Sequence, residues 1–255
     1  MPIYEGFADF YVRGIWAEHS RRMASLFPGI LRKFGISPKT ILDLASGDGT
    51  FAVAMARLGY KLTGVDNSRR MLYLARKRAL EEKLKMNFVC KDMRCLEFHS
   101  EFDVATCWFD SLNYLIETED LAKTFAGVWQ ALRPGGYFIF DMATIPGLLA
   151  YYDAGITFGE APVLLQLDTA DSLLINRPTY DFDKNIATWR ITGFMRRGNT
   201  WRRSDEEHKE RGYTLHEIRH SFLEAGFTEV TAMGDLASFR APEENDHRVW
   251  FVLKK

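Results

Sequence analysis

Two aspartates, Asp43 and Asp66, each lie at the end of a short apolar segment typical of a buried parallel strand. After the first, residues 45–49 (Ala-Ser-Gly-Asp-Gly) form a loop of small residues before a helical pattern, so that backbone N–H groups can approach a ligand. A carboxylate at the end of the second strand is placed to accept hydrogen bonds from both hydroxyls of a ribose. Acidic helix caps in a nucleotide-free core would explain one such feature, but the two strand-end carboxylates together favour a nucleoside cofactor.

The glycines of this loop indicate which nucleoside cofactor binds. Dinucleotide sites favour the pattern Gly-x-Gly-x-x-Gly, which fits a pyrophosphate against a helix N-terminus. Here only Gly47 and Gly49 match, since the third position is Ala52, and the loop contains no phosphate-binding lysine. An adenosyl sulfonium has no phosphate to hold, so the shorter glycine loop is sufficient for it.

The elements that must position these residues alternate between strand and helix up to Ala143. A helical stripe ends at Gly35, and the pair Asn67-Ser68 is a helix cap. The predicted strands are 40–44, 61–65, 86–89, 102–106, 137–140, 227–233 and 248–253. Repeated βα units of this length predict an α/β, doubly wound, Rossmann-like sheet of seven mostly parallel strands.

The pattern changes after Ala143, where residues 163–201 contain several short runs of β-forming residues. We predict an inserted antiparallel sheet at 145–210 that covers the active site, with 1–144 and 211–255 forming the cofactor-binding domain. Its aromatic and arginine residues fit an anionic or aromatic acceptor, or a nucleic acid, but a sheet with one buried and one charged face is the favoured interpretation. They are Trp189, Phe194, Trp201, Arg190, Arg196, Arg197, Arg202 and Arg203.

An ordered series of motifs resembles the class I S-adenosylmethionine-dependent methyltransferases, of the type that acts on small molecules. The matching segments are 42–50 (LDLASGDGT), 64–68 (GVDNS), 91–93 (KDM), 102–104 (FDV) and 132–136 (LRPGG). The resemblance covers roughly residues 1–143 and 213–255. One departure is Ala45, which stands where the family has the first glycine of its loop. Alanine is compatible with that position if the backbone does not need a positive φ.

The resemblance implies a set of cofactor-binding residues. Those that should border the methionyl part, the ribose and the adenosine are Asp43, Ala45, Ser46, Gly47, Asp66, Asn67 and Met71. Asp92 and Met93 should frame the adenine, although core packing explains Met93 equally well. Trp108, Phe109 and Asn113 belong to a loop beside the transferring methyl, where Trp108 could instead be a packing residue. Tyr11, with Tyr4, resembles an N-terminal aromatic segment that covers the cofactor, or it packs in the core.

The predicted function is methyl transfer from S-adenosylmethionine to a nitrogen or oxygen nucleophile of a small molecule, with S-adenosylhomocysteine as product. Holding the reactants in line supplies much of the rate enhancement, so the sequence assigns no catalytic residue. Asp110, His208 and Tyr213 are candidate bases, but surface or packing roles are favoured, and 205–211 is expected to be a solvated charged strand or loop. Alternatives are a catalytically silent S-adenosylmethionine-binding regulatory protein and a nicotinamide-dependent oxidoreductase.

Composition sets the remaining expectations. The chain has 255 residues and a formal net charge of −1, which gives no general attraction to nucleic acid or an acidic membrane. We expect no membrane span, no signal peptide and no metal site, and a cytoplasmic location with three reduced, buried cysteines. The alternative to an inserted sheet that covers the active site is one that forms a homodimer interface. Because the Asp43 and Asp66 loops lie outside it, removal of 160–205 is expected to leave cofactor affinity nearly intact.

Overall fold

The computed structural model describes residues 3–153 and 163–255. Its helices are α1 Ala8–Tyr11, α2 Ala17–Lys33, α3 Thr50–Arg57, α4 Arg69–Glu81, α5 Thr118–Ala131, α6 Ile145–Asp153 and α7 Leu215–Glu224. The strands are β1 Thr40–Leu44, β2 Lys61–Asp66, β3 Asn87–Cys90, β4 Phe102–Cys107, β5 Leu132–Ala143, β6 Leu164–Thr169, β7 Ser172–Asp181, β8 Ile186–Arg197, β9 Thr200–Arg211, β10 Thr228–Met233 and β11 Arg248–Lys254. Two 3₁₀ turns lie at Met93–Cys95 and Ser111–Tyr114.

The main sheet confirms the predicted fold class. Its seven strands follow the order β10-β11-β5-β4-β1-β2-β3, and β1 to β5 run parallel. Strand β11 is antiparallel to both β5 and β10. Because β1 lies between β2 and β4, the strand order reverses at β1, and ligands of such sheets bind outside the carboxyl ends of the strands at this point. The sheet therefore places Asp43 and Asp66 at the edge where a ligand is expected.

Local sequence signals explain the elements that hold this edge. The α2 stripe buries Met23, Phe27 and Ile30, and the helix ends before Gly35, whose φ is 65°. Ser68 caps α4, since its Oγ accepts the N–H of Met71 at 3.1 Å. Each of these signals is a short-range pattern, which is why the sequence predicts the elements well.

A second sheet of four antiparallel strands, β6-β7-β8-β9, follows β5 and α6, so the predicted inserted sheet is confirmed. A turn joins β8 to β9, with Gly198 at φ 61°. Alternate residues of the three longer strands face inward and are buried: Leu174 and Asn176, then Ala187, Trp189 and Ile191, then His208 and Glu210. This inner face packs on Phe7, Phe10 and Tyr11 of the N-terminal segment.

The outer face of the second sheet carries paired charges. Arg190 lies 3.1 Å from Glu207, and Arg203 lies 2.8 Å from Asp205. The favoured interpretation of one buried and one charged face thus holds for Trp189 and Arg190, whereas Trp201 is half exposed. The expectation that 205–211 is solvated throughout is wrong, because Glu206, His208 and Glu210 point into the protein.

The remaining expectations concern the cysteines, membrane spans, metal binding, location and oligomeric state. Cys107 is buried, but Cys90 and Cys95 are exposed, so the expectation that all three thiols are buried is wrong for two of them. Within 3–153 and 163–255, no helix combines the length and apolar character needed to cross a bilayer. The same ranges hold no group of three His, Cys, Asp or Glu residues arranged to bind a metal ion. The cytoplasmic location and the homodimer stay predictions.

Candidate active site

A cavity of about 270 Å³, the strand-end cavity, lies at the carboxyl ends of β1 to β4. It collects residues that are distant in the chain because parallel strands end at the same edge of a sheet. Twelve of the thirteen cofactor residues suggested by the sequence line it: Tyr11, Asp43, Ala45, Ser46, Gly47, Asp66, Asn67, Met71, Asp92, Met93, Trp108 and Phe109.

Asp66 connects the two loops of this cavity. Its Oδ2 accepts the Gly47 N–H at 2.8 Å, and its Oδ1 accepts the Ser68 N–H at 2.8 Å. Each carboxylate oxygen keeps a second lone pair, so the group can still accept ligand hydroxyls. Loss of solvent raises the pKa of Asp66 to about 6, partly offset by the backbone N–H groups.

Asp43 is 2% exposed and accepts a hydrogen bond from Thr106 Oγ1 at 2.8 Å. Burial raises its pKa to about 7, and the nearby charge of Asp66 adds to the effect. Two carboxylates with raised pKa values favour a cationic ligand, which would stabilise their ionised forms. Ser46 Oγ is buried and lacks a hydrogen-bond partner among the described residues, which leaves one more polar group for the ligand. This chemistry fits S-adenosylmethionine, whose sulfonium and α-amino groups carry positive charge.

Ala45 adopts a left-handed backbone with φ 49°. The condition under which alanine suits this position is therefore not met, and the residue is strained by roughly 1–2 kcal/mol. The left-handed backbone recurs at Gly47 and Gly49, whose φ values are 56° and 74° and which adopt it without strain. The loop turns sharply enough to direct the N–H of Gly47 at Asp66, and a glycine at position 45 would do this at lower cost.

Asn113 is the one suggested cofactor residue that does not line the strand-end cavity. Its side chain is fully buried and bound to backbone on three sides. Nδ2 donates to the carbonyls of Ala143 at 2.9 Å and Arg211 at 2.8 Å, and Oδ1 accepts the Ala143 N–H at 3.0 Å. The amide thus joins the loop after β4 to β5 and β9, and we assign it a structural role.

Asp92 and Met93 lie at the far side of the cavity. Asp92 Oδ1 accepts the Arg94 N–H at 2.9 Å, and its Oδ2 lies 2.6 Å from Arg94 Nη2. These hydrogen bonds hold the pKa of Asp92 below its usual range. Met93 is partly buried, packs against the main core and also lines the cavity, so it has the packing role, and its place beside an adenine stays a prediction.

The loop after β4 holds two consecutive residues in the left-handed region, Phe109 at φ 59° and Asp110 at φ 50°. Asp141, at the end of β5, maintains this strained backbone by accepting the Phe109 N–H at 2.7 Å. Although burial raises the pKa of Asp141, the neighbouring charges of Arg248 and His19 lower it to about 2. Arg248 bridges the Asp141 and Asp110 carboxylates. Strain maintained in this way is characteristic of functional loops.

The N-terminal segment closes the strand-end cavity from above, with Tyr4 and Tyr11 in its wall. Glu206 of β9 holds this segment by accepting the backbone N–H groups of Tyr4 at 2.8 Å and Phe7 at 2.9 Å, together with that of Gly6. The inserted sheet thereby positions residues of the cofactor cavity. Removal of 160–205 would retain Glu206 but take away β8, the strand that pairs with β9, so these contacts argue for weaker cofactor binding, and the outcome of that removal stays a prediction.

A second cavity of about 600 Å³, the sheet-covered cavity, lies between the inner face of the second sheet and the N-terminal half of the protein. Its wall includes Trp189, His208 and Glu210 from that sheet. Tyr4, Phe109 and Tyr114 line both cavities, so the two spaces meet at these three rings.

A chain of hydrogen bonds crosses this junction. The hydroxyls of Tyr4 and Tyr114 are 2.9 Å apart, Tyr114 Oη is 3.0 Å from His208 Nδ1, and His208 Nε2 is 2.9 Å from Glu206 Oε2. Burial raises the pKa values of both tyrosines, which are therefore neutral. Since the Glu206 carboxylate only accepts, His208 donates from Nε2. When the imidazole is neutral, its Nδ1 accepts from Tyr114, and Tyr4 then donates to Tyr114.

The three candidate bases occupy different positions. Tyr213 is buried away from both cavities and donates to the Leu115 carbonyl, which is a packing role. Asp110 and His208 line the sheet-covered cavity, and neither is a surface residue. Sequence reasoning missed Asp141, Arg248, Glu206 and Glu210. A charge ending an apolar strand could have identified Asp141, and polar residues alternating along a predicted strand could have identified Glu206 and Glu210.

Comparisons with known proteins agree with this geometry. Residues 41–136 match a family model described as a methyltransferase domain. The chain is 30% identical over 255 residues to a protein of Geobacillus sp. (strain WCH70) named as a methyltransferase, covering 99% of each. It is 28% identical over 179 residues to the ubiquinone biosynthesis O-methyltransferase of Colwellia psychrerythraea (strain 34H / ATCC BAA-681), covering 69% of this chain and 66% of that one.

Among solved structures, an S-adenosylmethionine-dependent methyltransferase from Clostridium acetobutylicum ATCC 824 superposes with a TM-score of 0.84 at 25% identity, covering 99% of both chains. The fold and site define an enzyme that binds a nucleoside cofactor at a topological switch point. The chain belongs to the class I S-adenosylmethionine-dependent methyltransferases, and its cofactor is S-adenosylmethionine.

Proposed function

We propose that this methyltransferase acts on a nitrogen or oxygen nucleophile of a small molecule bound in the sheet-covered cavity. One observation carries the proposal: this cavity meets the strand-end cavity at Tyr4, Phe109 and Tyr114. S-adenosylmethionine in the strand-end cavity supplies an activated methyl group. The three rings at the junction would exclude water and orient the acceptor, and positioning is what this reaction mainly requires.

The strand-end residues have proposed roles in holding the cofactor. Asp66 would accept hydrogen bonds from the ribose hydroxyls, and Asp43 would face the cationic methionyl part. Asp92 would accept from the adenine amino group with lone pairs that Arg94 leaves free. Trp108 and Phe109 would lie beside the methyl group, where π faces favour a sulfonium.

The size and charge of the surroundings support a small acceptor. A cavity of about 600 Å³ lies within the range of small-molecule sites. On the outer face of the sheet, Arg190 and Arg203 are paired with acidic side chains, which does not favour a phosphate backbone as partner. The Colwellia relative is named as an O-methyltransferase, in keeping with an oxygen acceptor.

Calorimetry against S-adenosylmethionine, S-adenosylhomocysteine and NAD tests the cofactor, followed by incubation with methyl-labelled S-adenosylmethionine and metabolite fractions. We expect both adenosyl compounds to bind, NAD not to bind, and label to appear in a small molecule. Cofactor binding without any labelled product would favour the silent regulatory alternative. Binding of NAD alone would favour the oxidoreductase.

A further inference from the structure

The sheet-covered cavity has an excess of buried negative charge. Glu210 and Asp110 line it, and Asp141 lies behind Asp110. Arg248 is paired with the two aspartates and His19 lies 3.6 Å from Asp141, whereas Glu210 has no ion-pair partner among the described residues. Glu210 is 8% exposed. At the mouth, Glu18 and Arg22 carry opposite charges, so they add no net charge. A cationic ligand would therefore balance the charge that the described residues leave over.

The cavity wall also contains hydrogen-bond acceptors that have no partner among the described residues. Asn176 is 3% exposed, lines the cavity, and its Oδ1 has no hydrogen-bond partner among the described residues. Gln166 Oε1 is in the same condition. Both atoms are acceptors, as is the Glu210 carboxyl group. Because an unpaired buried acceptor costs roughly 1–3 kcal/mol, the wall is built for a ligand that brings several N–H or O–H donors.

Aromatic rings complete the enclosure. Trp16, Trp189 and the junction residues Tyr4, Phe109 and Tyr114 form much of the wall. The negative π face of an aromatic ring attracts a cation that has left water. Charge, hydrogen-bonding capacity and ring surface thus all favour the same ligand chemistry, an organic ammonium group.

We propose that the acceptor is a small molecule with a primary or secondary amine, and that Glu210 binds its ammonium form and takes up one proton. This inference rests on the proposed function. The N–H proton passes to the Glu210 carboxylate, and the freed nitrogen lone pair forms the new N–C bond. The C–S bond breaks with its electron pair going to sulfur, which leaves as the neutral thioether of S-adenosylhomocysteine. The methylated nitrogen keeps its other hydrogens and carries the positive charge.

The groups around Glu210 suit this role. Burial raises the pKa of Glu210 well above its usual value, and the negative charge of Asp110 adds to the effect, while Arg248 opposes it. Tyr114 and Trp189 direct polar groups toward it, and Tyr4, Tyr151, His208 and His19 share the same cavity. A carboxylate of raised basicity is a better acceptor for an ammonium proton.

The binding test uses the full chain saturated with S-adenosylhomocysteine and two probes of the same shape, benzylamine and benzyl alcohol. Benzylamine should bind at least about tenfold more tightly, as a charge-assisted hydrogen bond implies. Glu210→Gln should remove most of that preference without changing benzyl alcohol affinity. Glu207→Gln, on the outer face of the same strand, is the matched control and should change neither. If Glu210→Gln does not fold, Asn176→Ala is the second variant, and it should weaken the binding of benzylamine.

The reaction test uses methyl-labelled S-adenosylmethionine and a library of amines paired with alcohols of the same carbon skeleton. Products should be N-methyl compounds, and Glu210→Gln should lower kcat/KM at least about tenfold while S-adenosylmethionine affinity stays within about twofold. Three outcomes would each overturn the amine inference. They are products that are exclusively O-methyl compounds, equal binding of benzylamine and benzyl alcohol, and a failure of the protein to bind or methylate any amine. If S-adenosylmethionine itself fails to bind, the proposed function fails first, so the two failures are distinguishable.

Discussion

The hydroxyl of Tyr114 lies 3.0 Å from Nδ1 of His208, which joins the loop after β4 to the last strand of the second sheet. Tyr114 lines both cavities, and His208 is held in turn by Glu206. The same Glu206 binds the backbone of the N-terminal segment. A change at Glu206 or His208 should therefore affect cofactor binding as well as acceptor binding.

The first prediction follows from this connection. Glu206→Gln should raise the dissociation constant of S-adenosylmethionine about five- to tenfold, because the charged acceptor of three N–H groups is lost. Hydrogen exchange of the Tyr4, Gly6 and Phe7 amides should become faster in the cofactor-free protein. Glu207→Gln is the control and should leave both measurements unchanged. Unaltered exchange in a folded Glu206→Gln protein would show that the segment is held by packing alone.

Asp66→Ala should weaken S-adenosylmethionine binding by about one to two orders of magnitude, since charge-assisted hydrogen bonds are worth roughly 1.5–3 kcal/mol. Asp66→Asn should also weaken it, because one carboxylate oxygen that accepts an N–H becomes a donor. Asp103→Asn is a matched control: that carboxylate accepts the N–H groups of Lys39 and Thr40 outside both cavities. It should lower thermal stability without changing affinity. Equal affinity in folded Asp66→Ala would exclude the ribose role.

The affinity for S-adenosylmethionine should fall as pH decreases from about 7.5 to 5.5. The pKa values of Asp43 and Asp66 are raised to about 7 and 6, so both become protonated in this window and lose attraction for a cation. We expect a loss of about tenfold. Calorimetry of Asp43→Asn over the same pH range should show a smaller change of S-adenosylmethionine affinity with pH. Any protonation of the cofactor itself affects both proteins equally, so it does not contribute to the difference between them.

The same raised pKa has the opposite consequence for the cofactor-free protein. The unfolded chain ionises Asp43 near the ordinary aspartate pKa of 3.8, while the folded chain retains the proton until about pH 7. Stability therefore falls as pH rises between these values. Asp43→Asn should be more stable than the unmodified chain at pH 8 by thermal melting, although it binds the cofactor less tightly. A less stable variant at pH 8 would contradict the assigned burial cost.

Ala45→Gly should stabilise the protein by up to about 1 kcal/mol, because relief of the left-handed alanine exceeds the added entropy of glycine in the unfolded chain. Denaturant unfolding measures this, and cofactor affinity should stay nearly constant. Ala52→Gly, within the helix α3, is the control and should destabilise by about 1 kcal/mol. If Ala45→Gly destabilises the protein as much as the control does, the left-handed backbone at Ala45 carries no measurable strain energy.

Much of the fold could be predicted from the sequence because its signals are local. Apolar runs, the Ser68 cap and the turn at Gly198 are each set by a few neighbouring residues, and they predict both sheets. The order of strand ends also predicts the strand-end cavity, since parallel strands bring Asp43 and Asp66 to one edge whatever the side-chain details. Twelve of the thirteen suggested cofactor residues therefore line that cavity.

The tertiary structure alone decided which polar residues serve which cavity. Asn113 has a side chain suited to ligand binding, but its amide is fully hydrogen-bonded to the backbone of β5 and β9. Glu206 binds the N–H of Tyr4 across 202 positions of the chain. The charged run 205–211 was expected to be solvated because its own pattern cannot reveal what β9 covers. Burial of Glu206, His208 and Glu210 depends on the packing of one sheet over another part of the chain, and no local pattern encodes that contact.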